Sequence, residues 1–278
     1  MGPSSIALSC AHGTHVVFDP VEKLLARGAL PGAYGYDLGA HAMRMARAKG
    51  VQPMALLACA MPGSWMVNNR APSPVFRAWL APPRVEAWAA LYELLSGGPE
   101  AWLSRSADDR ALVTQLVRAL CIEGHGVAAV SKVLAYWVAE SVPLMDDAML
   151  ALALGTVAEP ATADDPKAGA EHFVPAMDWF CKSVLSHEDT LIQVVREYPL
   201  APFDCAQALD RLLWVESWGW RLRIGQAPGV YARVRDGDRS GILRVEGQPA
   251  ATTVGPEALT DALRERWTAA IDGDAPRS

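Results

Sequence analysis

The chain has 278 residues, of which 51% are hydrophobic, and its formal net charge is −6. This length allows one large domain or a domain with a substantial second part. The mild acidity argues against a protein whose whole surface binds nucleic acid, although a local basic face is compatible with it. No run of about eighteen apolar residues is free of charge and proline, so we expect no membrane-spanning segment.

Cysteine usage and the N-terminal residues point to a cytoplasmic protein. The five cysteines are scattered and form no CxxC pair, which is typical of buried thiols in a reducing compartment and argues against a zinc ribbon or an iron–sulfur ligand run. The stretch MGPSSIALSCAHGTH has no basic segment before its short apolar part, so we expect no secretory signal. We therefore predict a cytoplasmic protein without metal or cofactor.

A 3.6-residue periodicity dominates the chain from about residue 36 and predicts a helical body. Capping-box patterns, in which a residue such as Asp or Gln follows the first capping residue by three positions, predict helix starts at Ser106, Ser186 and Asp204. The loop 60–74 is rich in Pro, Gly and Asn and is long enough to be functional. The predicted helices cover residues 36–49, 51–60, 84–96, 106–123, 127–139, 146–154, 170–185, 186–198 and 204–218.

The sequence pattern changes near the C-terminus. The stretch GVYARVRDGDRSGILRVEG (229–247) alternates with a period of two around a DGD turn, which predicts a β-hairpin, and residues 255–267 predict a final helix. The chain thus divides into a partly irregular N-terminal segment (1–35), a helical body (36–224) and a β-hairpin-plus-helix appendage (225–278). The predicted fold class is mainly α.

Two glycines precede an amphipathic helix in GHGVAAVSKVLAYW (124–137). Glycine tolerates the positive φ that a tight turn between crossing helices requires. The helix after such a turn begins with free N–H groups, which together with the helix dipole favour a phosphate without reading any base. A helical hairpin with glycine at the C′ position of the first helix explains the pattern as well.

The segment GHGVAAVSKVLAYWVAESVPLMDD resembles the helix–hairpin–helix DNA glycosylase superfamily. Members have a G-h-G hairpin, an amphipathic helix, a short extended connection and an Asp that opens the next helix. Asp146 follows Gly124 by 22 positions, the interval typical of the family, and VPLMDD stands where members commonly have a V-D-T-H-like segment. The stretch is most similar to an actinobacterial branch with a K-L-L-x-x-K-x-P…P-x-x-D pattern, whose first Lys matches Lys132. The resemblance is specific over about 110–155.

The resemblance implies a helix–hairpin–helix motif over 107–139 in a glycosylase-like fold that binds duplex DNA. In such enzymes the carboxylate matched by Asp146 stabilises the positive charge that builds up on the sugar of a flipped-out nucleotide and orients the attacking water. Asp146 is equally explained as the N-cap of its own helix. His125 replaces the usual aliphatic residue of the hairpin. Ala128 replaces the Lys of bifunctional members, so the resemblance implies a monofunctional hydrolase rather than a lyase.

The residues expected to contact DNA fall into three groups, and each group also has a local structural explanation. Asn68, Asn69 and Arg70 of the Pro-rich loop match the polar wedge with which glycosylases fill the gap left by a flipped base, and they also suit a plain turn. Arg233 and Arg235 share one face of the first predicted strand, which suits a phosphate backbone and equally a solvated edge strand. The hairpin and the following helix supply the third group: Gly124, His125, Gly126, Val127, Ala128 and Lys132.

Three functions are consistent with these patterns. The first is a monofunctional DNA N-glycosylase that acts through Asp146. The second is a helix–hairpin–helix module that binds DNA without chemistry, and the third is a helical scaffold for protein partners in which the glycine turn serves packing alone. The sequence favours a DNA-interacting protein and indicates neither the modified base nor the oligomeric state.

Overall fold

The computed structural model describes residues 5–11, 13–28, 33–63, 74–155, 165, 167, 169–198 and 203–223. Two antiparallel strands come first, β1 (Ser5–Cys10) and β2 (Gly13–Phe18). Helices form most of the remaining described residues, which confirms the mainly α fold class. They are α1 (Pro20–Gly28), α2 (Ala33–Ala48), α3 (Pro53–Gly63), α4 (Pro74–Trp79), α5 (Pro82–Leu95), α6 (Gly98–Leu103), α7 (Ala107–Leu120), α8 (Val127–Trp137), α9 (Asp147–Leu154), α10 (Phe173–Ser186), α11 (Glu188–Glu197) and α12 (Cys205–Arg223).

No helix in the described ranges is both long enough and apolar enough to cross a membrane. The β-hairpin and helix predicted for 225–278 lie outside the described residues.

Two of the three predicted capping boxes are confirmed. The Ser106 hydroxyl accepts the Asp109 N–H at 3.1 Å, and the Asp109 carboxylate accepts the Ser106 N–H at 3.3 Å. At the start of α12, the Asp204 carboxylate accepts the Gln207 N–H at 2.8 Å, and the Gln207 side-chain oxygen accepts the Asp204 N–H at 3.3 Å. These helix starts follow from sequence because both partners lie within one turn of helix.

Several predicted helix boundaries are wrong; α12, for example, runs to Arg223 and not to residue 218. Ser186 ends α10 instead of opening α11, whose N-cap is His187 without a side-chain capping bond. The helix predicted to run to about Glu123 ends at Leu120, because Cys121 has an extended backbone (φ −66°, ψ 132°) that leads directly into the hairpin.

Sequence reasoning did not predict the N-terminal strands. β1 and β2 pair antiparallel, with Leu8 opposite His15 and Ile6 opposite Val17. All four of these side chains are buried, and they alternate with more exposed neighbours. Each strand has only two buried positions, and one of them is a histidine, so the period-two signal is too short to stand out from the surrounding helical pattern.

Backbone contacts divide the chain into two compact units. The motif unit comprises Tyr36–Asp146 and Ala158–Ser186, and it contains both helices of the predicted motif. The sheet unit comprises Met1–Gly35, Asp147–Val157 and His187–Ser278. In the motif unit α7 packs on α5, α8 and α10, and α3 packs on α8. In the sheet unit α12 packs on α1, α9 and α11.

Tryptophans dominate the core of the motif unit. Trp79 and Trp88 meet edge to face with ring centroids 5.7 Å apart, and Trp88 meets Trp137 in the same manner at 6.4 Å. Trp137 also stacks on Tyr92 at 5.0 Å. Each such pair contributes about 0.5–1.5 kcal/mol beyond the burial of its area. The chain of rings fixes α8 against α4 and α5.

A polar cluster holds α7 on the other helices. Arg110 makes two hydrogen bonds to the Asp178 carboxylate, at 2.7 and 2.6 Å, and Trp102 donates its indole N–H to the same carboxylate at 2.8 Å. These three side chains belong to α7, α10 and α6. The first helix of the predicted motif is therefore fixed from two sides, by α6 and α10.

Candidate nucleic-acid interface

Glu123 and Gly124 form a tight turn between Ile122 and His125. The His125 N–H donates to the Ile122 carbonyl at 2.8 Å, and the Ile122 N–H donates to the His125 carbonyl at 3.1 Å. Gly124 has a φ of +71°, and a β-carbon added there would meet no atom within 4 Å. Backbone conformation rather than space therefore explains the glycine, as predicted for the hairpin.

The alternative with glycine at the C′ position of α7 is wrong. The C-cap of α7 is Cys121, so the C′ position belongs to Ile122, and Gly124 lies two residues further along the chain. Gly124 serves the turn between the two helices and not the end of the first one.

The second glycine opens α8. Gly126 has an extended backbone (φ −82°, ψ −155°) and is the N-cap of α8, with no side-chain capping bond. Its carbonyl accepts the N–H groups of Ala129 and Val130 at 3.0 and 3.2 Å. Among the described residues, no group accepts the N–H of Val127 or Ala128. Val127 is 0% exposed, so of these two amides only that of Ala128 belongs to a partly exposed residue.

Two side chains from outside the motif support the base of the hairpin. Trp79 donates its indole N–H to the Leu120 carbonyl at 2.8 Å, and Arg84 donates its Nε–H to the Ala119 carbonyl at 3.2 Å. The last carbonyls of α7 therefore have partners, and the hairpin starts from a fixed point. Sequence reasoning missed both residues, because they lie 41 and 35 positions away from the carbonyls they bind.

His125 has a structural role in the hairpin. Its ring packs edge to face on Trp79 with centroids 6.0 Å apart, and its Nδ1 lies 3.2 Å from the Glu123 carbonyl oxygen. The ring is half-buried. The His125 side chain thus packs on Trp79 while its backbone forms the turn.

Lys132 lies on α8 between two fully buried residues, Ser131 and Val133, and is itself half-buried. Val127 is 0% exposed with its backbone included, so neither its side chain nor its N–H can meet a ligand in this structure. Ala128 is half-exposed. A phosphate contact through Lys132 stays a prediction.

A buried serine joins α8 to the residues before Asp146. The Ser131 hydroxyl donates to the Ala128 carbonyl at 3.0 Å and accepts the Met145 N–H at 3.0 Å. Asp146 is half-buried and directly precedes α9, which is the position of an N-cap. Both explanations of Asp146, the catalytic one and the capping one, fit this place in the chain. The sequence does carry a signal for Ser131, a polar residue within the apolar face of α8.

The remaining predicted contacts lie outside the described residues. This applies to the wedge residues Asn68, Asn69 and Arg70 and to the strand residues Arg233 and Arg235. The structure therefore brings together the hairpin residues, Lys132 and the chain before Asp146 in one unit, and those other two groups stay predictions.

Cysteine chemistry near the hairpin is that of neutral thiols. Burial raises the pKa of the Cys121 thiol to about 12, with a smaller rise from Glu171 and an opposing effect of Arg118. Burial likewise raises the pKa of Cys181 to about 12. Neutral thiols are poor nucleophiles and poor metal ligands. Within the described ranges, no three His, Cys, Asp or Glu side chains are grouped so that they could hold a metal ion.

Comparisons of the chain with models of known families, with curated proteins and with solved structures find no match.

Proposed function

We propose that this protein binds duplex DNA through the backbone amides at the start of α8. The observation that carries the proposal is the open helix start: Gly126 is the N-cap, no side chain caps the helix, and the N–H groups of the half-exposed residues Gly126 and Ala128 lack an acceptor among the described residues. Such amides favour a phosphate oxygen and read no base, so recognition is independent of sequence. The two-residue turn at Glu123 and Gly124 connects the end of α7 to this helix start.

Duplex binding is tested by the fluorescence anisotropy of a labelled undamaged duplex across a salt series. We expect binding at low salt and a linear fall of log affinity with log salt, because bound phosphates release counterions. An unlabelled duplex of unrelated sequence competes equally if the backbone is what the protein reads. Absence of binding at low salt would favour the helical scaffold.

We propose further that Asp146 supports hydrolysis of an N-glycosidic bond in the bound DNA. The hydrogen bond from the Met145 N–H to Ser131 supports this, because it ties the chain next to Asp146 to the helix that begins at the hairpin. A carboxylate beside the sugar stabilises the positive charge that develops as the base leaves. A protein that binds duplex DNA and releases no base would instead be a non-catalytic module in which Asp146 is only a helix cap.

Base excision is tested with duplexes that each carry one uracil, hypoxanthine or oxidised guanine. We expect the wild type to release a free base and Asp146→Asn to lose about a hundredfold to a thousandfold in rate, the range found when one electrostatic stabiliser is removed. Asp147→Asn is the matched control, since it removes the same charge one position further along the chain. Equal rates for wild type and Asp146→Asn would remove Asp146 from the chemistry.

A further inference from the structure

We infer that Ser131 is the positioning residue for the Asp146 carboxylate. Its hydroxyl joins the first turn of α8 to the residue before Asp146. This inference rests on the proposed base excision and adds to it a residue that contacts neither the DNA phosphate nor the sugar.

The Ser131 hydroxyl both donates and accepts a hydrogen bond. A serine hydroxyl has one proton to donate and lone pairs to accept with. The proton is directed to the Ala128 carbonyl and a lone pair receives the Met145 N–H, each over 3.0 Å. Ser131 and Met145 are both 0% exposed. Water therefore does not replace the acceptor when the hydroxyl is removed, and the Met145 N–H loses its partner or the chain around it moves.

The two ends of this link are the two parts of the proposed site. Ala128 lies in the first turn of α8, where we place the phosphate, and Met145 is bonded through its own peptide to Asp146. One oxygen atom thus sets how far the carboxylate lies from the phosphate-binding amides. A displacement of about 1 Å at a reacting group can lower a rate by about a hundredfold, so a link of this kind has a catalytic consequence.

Ser141 provides a matched control in the same unit. It is also 0% exposed, and its hydroxyl accepts a backbone N–H, that of Gly98, at 2.9 Å. Ser141→Ala removes a hydrogen bond from a backbone N–H to a buried serine, as Ser131→Ala does, but the bond is part-buried and the partner that it releases is the start of α6 and not the chain before Asp146. Both variants are expected to lose thermal stability, and Ser141→Ala the less of the two, because water can reach the half-exposed Gly98 N–H.

The experiment measures single-turnover base release and duplex affinity for the wild type, Ser131→Ala and Ser141→Ala, with the modified duplex on which the wild type is most active. We expect Ser131→Ala to lower the rate at saturating enzyme by about tenfold to a hundredfold and Ser141→Ala to change it by less than about twofold. The affinity for an undamaged duplex should be alike in all three. In the Asp146→Asn background, Ser131→Ala should lower the rate no further, because its effect passes through the carboxylate.

The rates of these variants decide whether Ser131 positions the Asp146 carboxylate. Base release that Ser131→Ala and Ser141→Ala retain equally, or a further loss in the Asp146→Asn background, would overturn it and leave the proposed function intact. Absence of base release by the wild type from every modified duplex would overturn both. If Ser131→Ala does not fold, Ser131→Cys fills the same space with a weaker acceptor, and Ser141→Cys is then its control.

Discussion

Two helices of the motif unit begin next to a glycine, and they differ in what meets their first amides. At α6 the Ser141 hydroxyl accepts the Gly98 N–H at 2.9 Å, so the fold itself supplies the acceptor. At α8 no group among the described residues accepts the N–H of Val127 or Ala128. A side chain of the protein closes the start of α6, whereas the start of α8, here called the open start, has no such acceptor among the described residues.

This contrast shows that glycine at a helix start does not by itself indicate a binding site. Gly97 and Gly98 have φ of +106° and +84°, whereas at α8 the glycine with positive φ, Gly124 (+71°), lies in the preceding turn and the N-cap Gly126 has a φ of −82°. The two starts are distinguished by a hydroxyl 43 positions away in sequence from Gly98.

The largest effect on DNA binding is expected from a negative charge placed at the open start. Ala128→Glu adds a carboxylate in the first turn of α8, where it satisfies the helix dipole and repels a phosphate. We expect the duplex Kd to rise by about a hundredfold at low salt while thermal stability is unchanged or slightly higher. Ala128→Gln has the same shape without the charge. Equal affinity of the Glu and Gln variants would show that no phosphate binds there.

A smaller effect is expected from straining the turn. Gly124→Ala forces a residue with a β-carbon into a φ of +71°, which costs about 1–2 kcal/mol. Gly50→Ala is the matched control, because Gly50 has a φ of +80° and equally open surroundings. Both variants should lose similar stability in chemical denaturation, and only Gly124→Ala should weaken duplex binding, by about tenfold. A similar loss of binding in Gly50→Ala would make the effect one of global stability.

Lys132 should contribute less than the backbone amides. Lys132→Gln is expected to weaken duplex binding severalfold, independently of sequence, and to lower the slope of log affinity against log salt by about one. Lys182 is an exposed lysine on α10 of the same unit, and Lys182→Gln provides the control for the change in net charge. Identical slopes for the two variants would remove Lys132 from the interface.

The smallest effect concerns Cys121, which is buried at the end of α7 where the hairpin begins. The raised pKa of about 12 for Cys121 predicts slow alkylation compared with Cys59, which is exposed. The folded pKa lies above the ordinary value of 9.0, so the folded state binds the thiol proton more tightly. The stability that this provides is complete below pH 9.0 and is lost as the pH rises to about 12. Alkylation of Cys121 as fast as that of Cys59 would show that the buried end of α7 becomes accessible to solvent.

The parts of the fold that sequence predicts are those whose partners are close in the chain. The capping boxes at Ser106 and Asp204 and the turn at Gly124 each involve residues within three positions. The capping box predicted at Ser186 failed because α10 continues through Ser186 and His187 opens α11 instead. The local pattern at Ser186 cannot show whether the preceding helix extends through that serine.

The support of the candidate site depends on distant partners and could not be predicted. The Trp79 indole N–H donates to the Leu120 carbonyl, 41 positions away in sequence, and the Met145 N–H donates to the Ser131 hydroxyl, 14 positions away. Nothing in the residues around Trp79 marks it as the partner of a helix end. Ser131 was detectable only as a polar residue on an apolar face, a pattern that identifies a buried hydroxyl but not the atom that it binds.

The backbone amides of the hairpin provide the most direct test of DNA binding at the open start. Amide chemical shifts of the isotope-labelled protein are recorded by NMR as an undamaged duplex is added. We expect the largest changes on the amides of Gly126 and Ala128 and no change on the Gly98 amide, which already donates to Ser141. If the duplex binds while the amide chemical shifts of residues 126–128 do not change, DNA binding at the start of α8 is contradicted.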